Sequence, residues 1–471
     1  MAVRTGGGTR KVARLAQADR RVFRRAERYR TGKELRHRVP RSSLAEWKPP
    51  GDRPDPIELL ARLDRGRVPE LLPIRYGRMV ASPFGFLRGA AGVMAQDFAV
   101  GPVTGLRVQL VGDAHVSNFG LFATPERDRV FDADDFDETT VGPWEWDVKR
   151  LATSLFVVAC QDRFPWRVAH DAARTAARAY RLRMRALARM RYLDAWYSHL
   201  DLAEALDELG KDALRLLEKE LPEARQRTGF HAFPKLAKMQ GGRARIRDAS
   251  PLLHHYPDRN SERAVRDAFR SYRSTLPVER RPLFDRYRLV DVAQKVVGVG
   301  SVGTRCSVGL FLADDDVPEP LFLQVKEALP SVYEPFVGPS PFANHAERVV
   351  AGQRLIQEAS DIFLGWSTAG SRDYYVRQLR DMKLVSDVST LGPGELIGEA
   401  ELCGVALARA HARTGDPAGI AGYLGPGEAF DAAIVAFAER YARQTKDDHA
   451  ALVRAVKRGR VAAVTDPLPA R

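Results

Sequence analysis

Residues 110–122 read LVGDAHVSNFGLF. An apolar, strand-like entry runs into Gly112, and the chain then presents Asp113, His115 and Asn118 before turning apolar again at Phe119. A rigid strand end can position such side chains while the loop backbone leaves them free for chemistry. An isolated GDxH also has the composition of an Asx-type turn, so the rest of the chain has to decide.

A second polar loop follows at residues 131–138, FDADDFDE. Its four aspartates, Asp132, Asp134, Asp135 and Asp137, cannot all pack in a core as anions, because an unpaired buried charge is very costly. Either they face water or they hold a cation. The pattern lacks the Gly at the sixth position and the Glu at the twelfth that an EF-hand requires. It suits a hard-cation site of Mg2+ type built from one or two carboxylates plus substrate phosphate, with Asn118 as a further oxygen ligand.

A third stretch, KVVGVGSVGTRC at residues 295–306, contains Gly298, Gly300, Ser301 and Gly303 in a G-x-G-x-x-G spacing. A dinucleotide-binding turn would open a helix here, but TRCSVGLFL continues as a strand, so the glycines read as a hairpin loop suited to lie over phosphates. The next strand, LFLQVKEAL, brings Lys326 after an apolar run, as does the strand lysine that neutralises nucleotide phosphates. Such a lysine is usually held by a helix glutamate, here Glu347 in NHAERVV, with Glu358 the other candidate. YYVRQL, which includes Gln378, reads as a hinge strand facing adenine or as a plain edge strand.

Together these parts resemble the protein-kinase-like fold and, within it, the aminoglycoside and choline phosphotransferase branch. The family pattern HGDxHxxN corresponds to residues 111–118, with Val111 in place of the leading histidine. The family's metal-binding IDF corresponds to residues 133–136, which makes Asp135 the metal aspartate, with Asp132 and Asp137 as alternatives. GPWEWDVKRLATS resembles its GDPxxDLA, with Asp147 supporting the catalytic loop, and VALARAHART resembles its LARLHA helix. In kinases the glycine loop, lysine and glutamate precede the catalytic loop, whereas here they follow it. A circular permutation reconciles the two orders, since cuts on surface loops are tolerated.

The resemblance implies an α+β fold: a protein-kinase-like two-lobe fold, circularly permuted, with the helical catalytic lobe first and a small antiparallel-sheet lobe later. It also implies ATP and Mg2+ as cofactors, with Asp113 orienting or deprotonating an acceptor hydroxyl on a small molecule or protein and His115 bracing the loop. Residues 78–444 further resemble an uncharacterised bacterial family that shares GDxHxxNFG, DFDE, GPxxWDxxRL, GxGSxGTR, LQxKEA, RQLRDMK and LARAHAR. The expected division is a basic arm and linker at 1–56, a helical lobe with catalytic and metal loops at 57–290, a small nucleotide-binding lobe with the Gly-rich loop at 291–385, and C-terminal helices completing the helical lobe at 386–471.

The alternatives are a pseudokinase or nucleotide-binding regulator, nucleotidyl transfer to a protein, and, least favoured, a two-metal phosphoesterase using Asp113, His115 and the loop carboxylates.

The composition is that of a globular chain, 45% hydrophobic and 28% charged. The most apolar run, LATSLFVVAC at 151–160, is far short of the roughly 20 residues a membrane span needs. With no secretory leader evident, a cytoplasmic location is expected. Three scattered cysteines without CxxC spacing argue for reduced thiols over disulfides or zinc. The net charge is +14, but residues 1–50 carry 15 Lys and Arg against 4 Asp and Glu, so most of the excess sits in the N-terminal arm. Nucleic-acid binding is therefore not expected except through that arm, which also reads as a mobile basic helix or a solubilising tail.

Along the chain, LRVQLVG and RVFDAD read as strands joined by the turn TPERD. Residues 151–217 read as long helix, and 243–281 as loops with one helix. A second strand region then encloses the helix ANHAERVVAGQRLIQEA, and the C-terminus returns to helix.

Overall fold

The computed structural model describes residues 24–198, 209–226, 229–296, 298–313, 319–379 and 383–464. Helices and small antiparallel sheets make it an α+β protein. Four strands come first: β1 (Arg107–Leu110), β2 (Phe119–Ala123), β3 (Arg129–Ala133) and β4 (Thr140–Pro143). The turn TPERD belongs to a β2–β3 hairpin, so RVFDA pairs with FGLFA and not with RVQL as the strand pattern suggested. β1 pairs outside that hairpin with β4. This nesting sets the β1–β2 loop (residues 111–118) beside the β3–β4 loop (residues 134–139). The Asp134 N–H donates to the Asn118 carbonyl at 2.9 Å across the two. Gly112 sits at φ +90°, where side chains are strained, and a Cβ there would lie 2.3 Å from the Glu138 carbonyl oxygen.

The helix Trp144–Gln161 starts directly behind β4, with Glu145 and Asp147 in its first turn, where anions suit a helix N-terminus. Every residue from Trp144 to Ala159 is buried, which marks it as a core helix. Full burial of Trp144, Leu151, Leu155 or Phe156 contributes about 1.5–3 kcal/mol each. Around it pack Trp166–Leu187 and the C-terminal helix Ala429–Lys457. Pro393–Thr414 lies so close against Trp166–Leu187 that a Cβ at Gly404 would come 2.4 Å from the Ala176 carbonyl oxygen. The helical stretch expected over 151–217 is helical in pieces, broken at 162–165, where Arg163 takes a positive φ ahead of Pro165, and at 188–191, while residues 199–208 lie outside the described residues.

The second strand region contains β5 (Ala237–Gln240), β6 (Arg243–Ile246), β7 (Leu253–His254), β8 (Tyr287–Lys295), β9 (Cys306–Ala313), β10 (Pro320–Ala328), β11 (Gly365–Ala369) and β12 (Arg372–Gln378). Six of these form one sheet in the order β11-β12-β10-β9-β8-β7, antiparallel throughout, while β5 and β6 form a separate hairpin. The glycine-rich stretch joins β8 to β9, and a strand follows Gly303.

Alternation along the strands assigns the two faces. Val325, Val376 and Phe311 pack with Phe269 and Tyr272 of the helix Arg259–Tyr272. On the opposite face, His345–Ile356 packs at the β10–β12 end. Val308, Leu310 and Phe322 on that same face are covered by the segment 232–246. Between these two covers Gln324, Lys326, Tyr375 and Arg377 are left facing the loops of the first half.

The basic stretch is docked from Arg25 onward. Its helix, Arg25–Arg38, lies on the helix Pro417–Leu424, where Arg36 Nε donates to the Tyr423 carbonyl at 2.9 Å and a Cβ on Gly32 would meet the Gly419 carbonyl oxygen at 1.9 Å. Residues 1–23 of the expected mobile arm lie outside the described residues, and the part from Arg25 onward is packed against the body. Among the described residues no helix is long and apolar enough to cross a membrane. Cys160, Cys306 and Cys403 are free thiols.

Candidate functional site

Asp147 organises the loop at residues 111–118. Its two carboxylate oxygens accept from the main-chain N–H groups of Val111 at 2.7 Å and Gly112 at 3.1 Å. His411, from Pro393–Thr414, approaches the same carboxylate at 3.2 Å and contacts the Tyr180 hydroxyl at 2.9 Å through its other ring nitrogen. The loop thus hangs on two helices far apart in sequence.

One turn after Asp147 on the same helix, Arg150 donates from Nε to Asp113 Oδ1 at 2.6 Å and from a second nitrogen to the same oxygen. Arg150 also reaches the Leu87 carbonyl at 3.0 Å. Burial pushes the Asp113 carboxyl up from its ordinary value against the pull of Arg150. His115 is buried, with Nε2 3.8 Å from Asp113 Oδ2. Burial, then the Arg88 and Arg150 charges, hold its pKa well below the usual imidazole range, so it is neutral at pH 7. Asn118 donates from its amide nitrogen to the Asp113 carbonyl at 2.8 Å, which leaves its Oδ1 as the end suited to a cation.

The four aspartates of the second loop separate by environment. Asp132 is fully buried, paired with Arg409, and accepts the Glu358 N–H at 2.9 Å. Asp134 binds Lys383 Nζ at 2.6 Å. Asp137 meets Lys326 Nζ and accepts from the Tyr375 hydroxyl at 2.8 Å and from Ser301 Oγ of the glycine loop at 3.0 Å. Burial works against its ionised form, but Lys326 and Tyr375 hold the Asp137 carboxyl below the usual range. Asp135 stands partly exposed with Oδ2 3.7 Å from Lys326 Nζ. The Lys326 ammonium, itself buried, is kept well above its ordinary pKa because Asp135 and Asp137 outweigh burial. Among the described residues, no group of three or more His, Cys, Asp or Glu side chains is arranged to hold a metal ion.

The glycine loop is tied from outside. Arg75 donates to the carbonyls of Val299 at 2.7 Å and Gly300 at 3.1 Å, Arg67 to Val302 at 2.8 Å, and the Val68 N–H to Gly303 at 2.7 Å. Its inner side then approaches the first loop, where a Cβ on Gly300 would lie 3.7 Å from Asp113 Oδ2.

Asp113, Asn118, Asp135, Asp137, Ser301, Gly300 and Lys326 therefore converge, although the sequence separates them widely. Glu347 and Gln378 do not join them. Glu347 occupies the first turn of its helix, where its N–H is capped by Asn344 Oδ1 at 2.9 Å, and it is absent from the contacts of Lys326. Arg348 beside it reaches the acid loop, donating to the Asp137 carbonyl at 2.8 Å. Gln378 alternates onto the face opposite Lys326, and its N–H is held by Asp361. Sequence reasoning missed Arg88, Arg150, Tyr375, Arg377 and His411. Two could have been found by period: Arg150 lies three residues after Asp147 on a helix, and Arg377 two after Tyr375 on a strand.

Residues 67–455 match a protein family described as uncharacterized proteins conserved in bacteria (DUF2252), and the chain belongs to that family. The match takes in both polar loops, the glycine hairpin and Lys326. Neither a curated protein nor a solved structure matches the chain.

Proposed function

We propose that this chain is an ATP- and Mg2+-dependent phosphotransferase on a circularly permuted protein-kinase-like fold, passing a phosphoryl group to a hydroxyl acceptor. The observation that carries this reading is the contact of Asp137 with both Lys326 and Ser301 Oγ at 3.0 Å, beside the loop of Asp113 and Asn118. Phosphoryl transfer asks mainly for positioning and electrostatics, which this set of residues can supply.

Asp113 would orient the acceptor hydroxyl, its carboxylate steered by Arg150 and its loop fixed by Asp147. Lys326 and the glycine hairpin would hold the phosphates, and Asn118 and Asp135 the cation. Bound Mg2+ would supply neutralisation of phosphate charge. His115, neutral and buried, would brace the loop.

A nucleotide-binding regulator without turnover is the second reading, and the Arg150–Asp113 ion pair favours it, because the guanidinium occupies the carboxylate oxygen that an acceptor hydroxyl would otherwise use.

Calorimetry of Mg·ATP binding beside an ATP-consumption assay tests both. Asp113→Asn is expected to keep Mg·ATP binding and lose turnover by roughly 10²-fold or more, the contribution of a positioned acid or base. Asp135→Asn is expected to lose the Mg2+ dependence of binding, since it removes a charged oxygen ligand. Wild-type protein that binds no nucleotide at millimolar concentration would remove both readings. Binding without consumption, unchanged by Asp113→Asn, would select the regulator.

A further inference from the structure

Arg88, on the short helix Pro83–Gly89, so far enters the site only through its charge beside His115. Its guanidinium stacks over the Phe84 ring at 5.8 Å and reaches beneath the glycine loop, where Nη2 lies 3.6 Å from the position of a Cβ on Gly298. Its own carbonyl is 3.3 Å from the corresponding point on Gly300. The Nε atom is buried and has no hydrogen-bond partner among the described residues.

The neighbouring charges are already matched. Arg150 pairs with Asp113, Lys326 with Asp137, and Lys383 with Asp134. Arg88 feels Asp113 and Asp135 electrostatically, but neither is its ion-pair partner among the described residues. An arginine with a buried, unpaired N–H beneath a glycine loop is a costly arrangement unless an anion completes it. A guanidinium is also the side chain whose planar fork matches phosphate oxygens.

We propose that Arg88 is a phosphate-binding residue of this site and that it grips the terminal phosphate of a nucleoside triphosphate, the group nearest Asp113. The proposal rests on the phosphotransferase reading, but it names a residue and a selectivity which that reading does not require. Lys326, on β10 and already matched by Asp137, is left to the inner phosphates. Arg88 then makes the site prefer a triphosphate to a diphosphate.

The test is calorimetry of the full chain with Mg·ATP and Mg·ADP, for wild type, Arg88→Gln and Arg88→Lys. Wild type is expected to bind Mg·ATP at least about 10-fold tighter than Mg·ADP, the size of one charge-assisted contact. Arg88→Gln is expected to abolish that preference by weakening Mg·ATP while leaving Mg·ADP within about twofold. Arg88→Lys, which keeps the charge but not the fork, should fall between. Wild type that binds both nucleotides equally would overturn the proposal without any variant. So would an Arg88→Gln variant that binds ADP normally yet keeps the preference. Wild type that binds neither removes the phosphotransferase reading and this proposal with it, whereas binding without preference removes this one alone.

Discussion

Glu138 closes the acid loop, its Oε2 accepting the Val332 N–H at 2.7 Å, and burial pushes its carboxyl up to about 7. Because this folded-state value lies above the ordinary 4.5, the fold favours the protonated form. The associated stability is present in full below pH 4.5 and is lost as pH rises through 7. Glutamine keeps an oxygen for Val332 and does not titrate. From pH 5 to pH 8.5, wild type should therefore lose about 1–2 kcal/mol more unfolding free energy than Glu138→Gln, a figure already reduced for solvent screening at this partly exposed carboxyl. Denaturant unfolding of both proteins at the two pH values checks this, and parallel pH dependence would count against it. At this scale the sequence is legible where polar residues interrupt apolar strands, as Asp113, Asn118, Asp135 and Lys326 do. The groups that tune them were not, because Arg88, Arg150 and His411 sit in helices of ordinary composition, and only the fold brings their ends to the loops.

At the scale of elements, the strands and the glycine hairpin were readable because TRCSVGLFL follows the glycines with strand composition, and β9 runs through it. The strand β11, GWSTA, was not, being short and half polar with no alternation to mark it. Pairing was the weaker inference: LRVQLVG and RVFDAD are both strands, but which neighbour each takes depends on the nesting of two hairpins and not on composition. Glu347 illustrates a residue type with two explanations, a phosphate-lysine partner or an acid in the first turn of a helix, and its contacts fit the second. The docked basic helix supports a separate prediction. Gly32→Val would drive a side chain into the Gly419 carbonyl, and overpacking of this kind typically costs about 1–3 kcal/mol. Since the helix Arg25–Arg38 packs on the surface of Pro417–Leu424, the variant should release the helix while the rest stays folded. Trypsin should then cleave within residues 25–38 faster than in wild type, while thermal melting of the body shifts little. Cleavage at the wild-type rate would mean that the docking does not depend on this contact.

Across the whole molecule, segments far apart in the chain pack as one interleaved core. The sheet of β7–β12 forms its own layer, but Pro393–Thr414 and Ala429–Lys457 are built into the core around Trp144–Gln161. The likeness of VALARAHART to the LARLHA helix points to that reach, but amphipathic helices advertise a buried face without naming the side chains that meet it, here Asp132 and Asp147. Full-length protein should unfold cooperatively, whereas a chain ending at residue 392 should show no cooperative transition and rapid proteolysis throughout. A truncated chain with a sharp transition would contradict the interleaved core. The braces on the two polar loops have a consequence for how the molecule comes into being. Asp132 needs Arg409, and Asp147 is met by His411. On the ribosome, both polar loops emerge well before Pro393–Thr414 and wait as unfinished structure, with Asp132 and Asp147 lacking their cation and ring partners, until that helix has been translated. A nascent chain of this protein can therefore have no working site until residues 393–414 have emerged, and any activity the loops support begins only then.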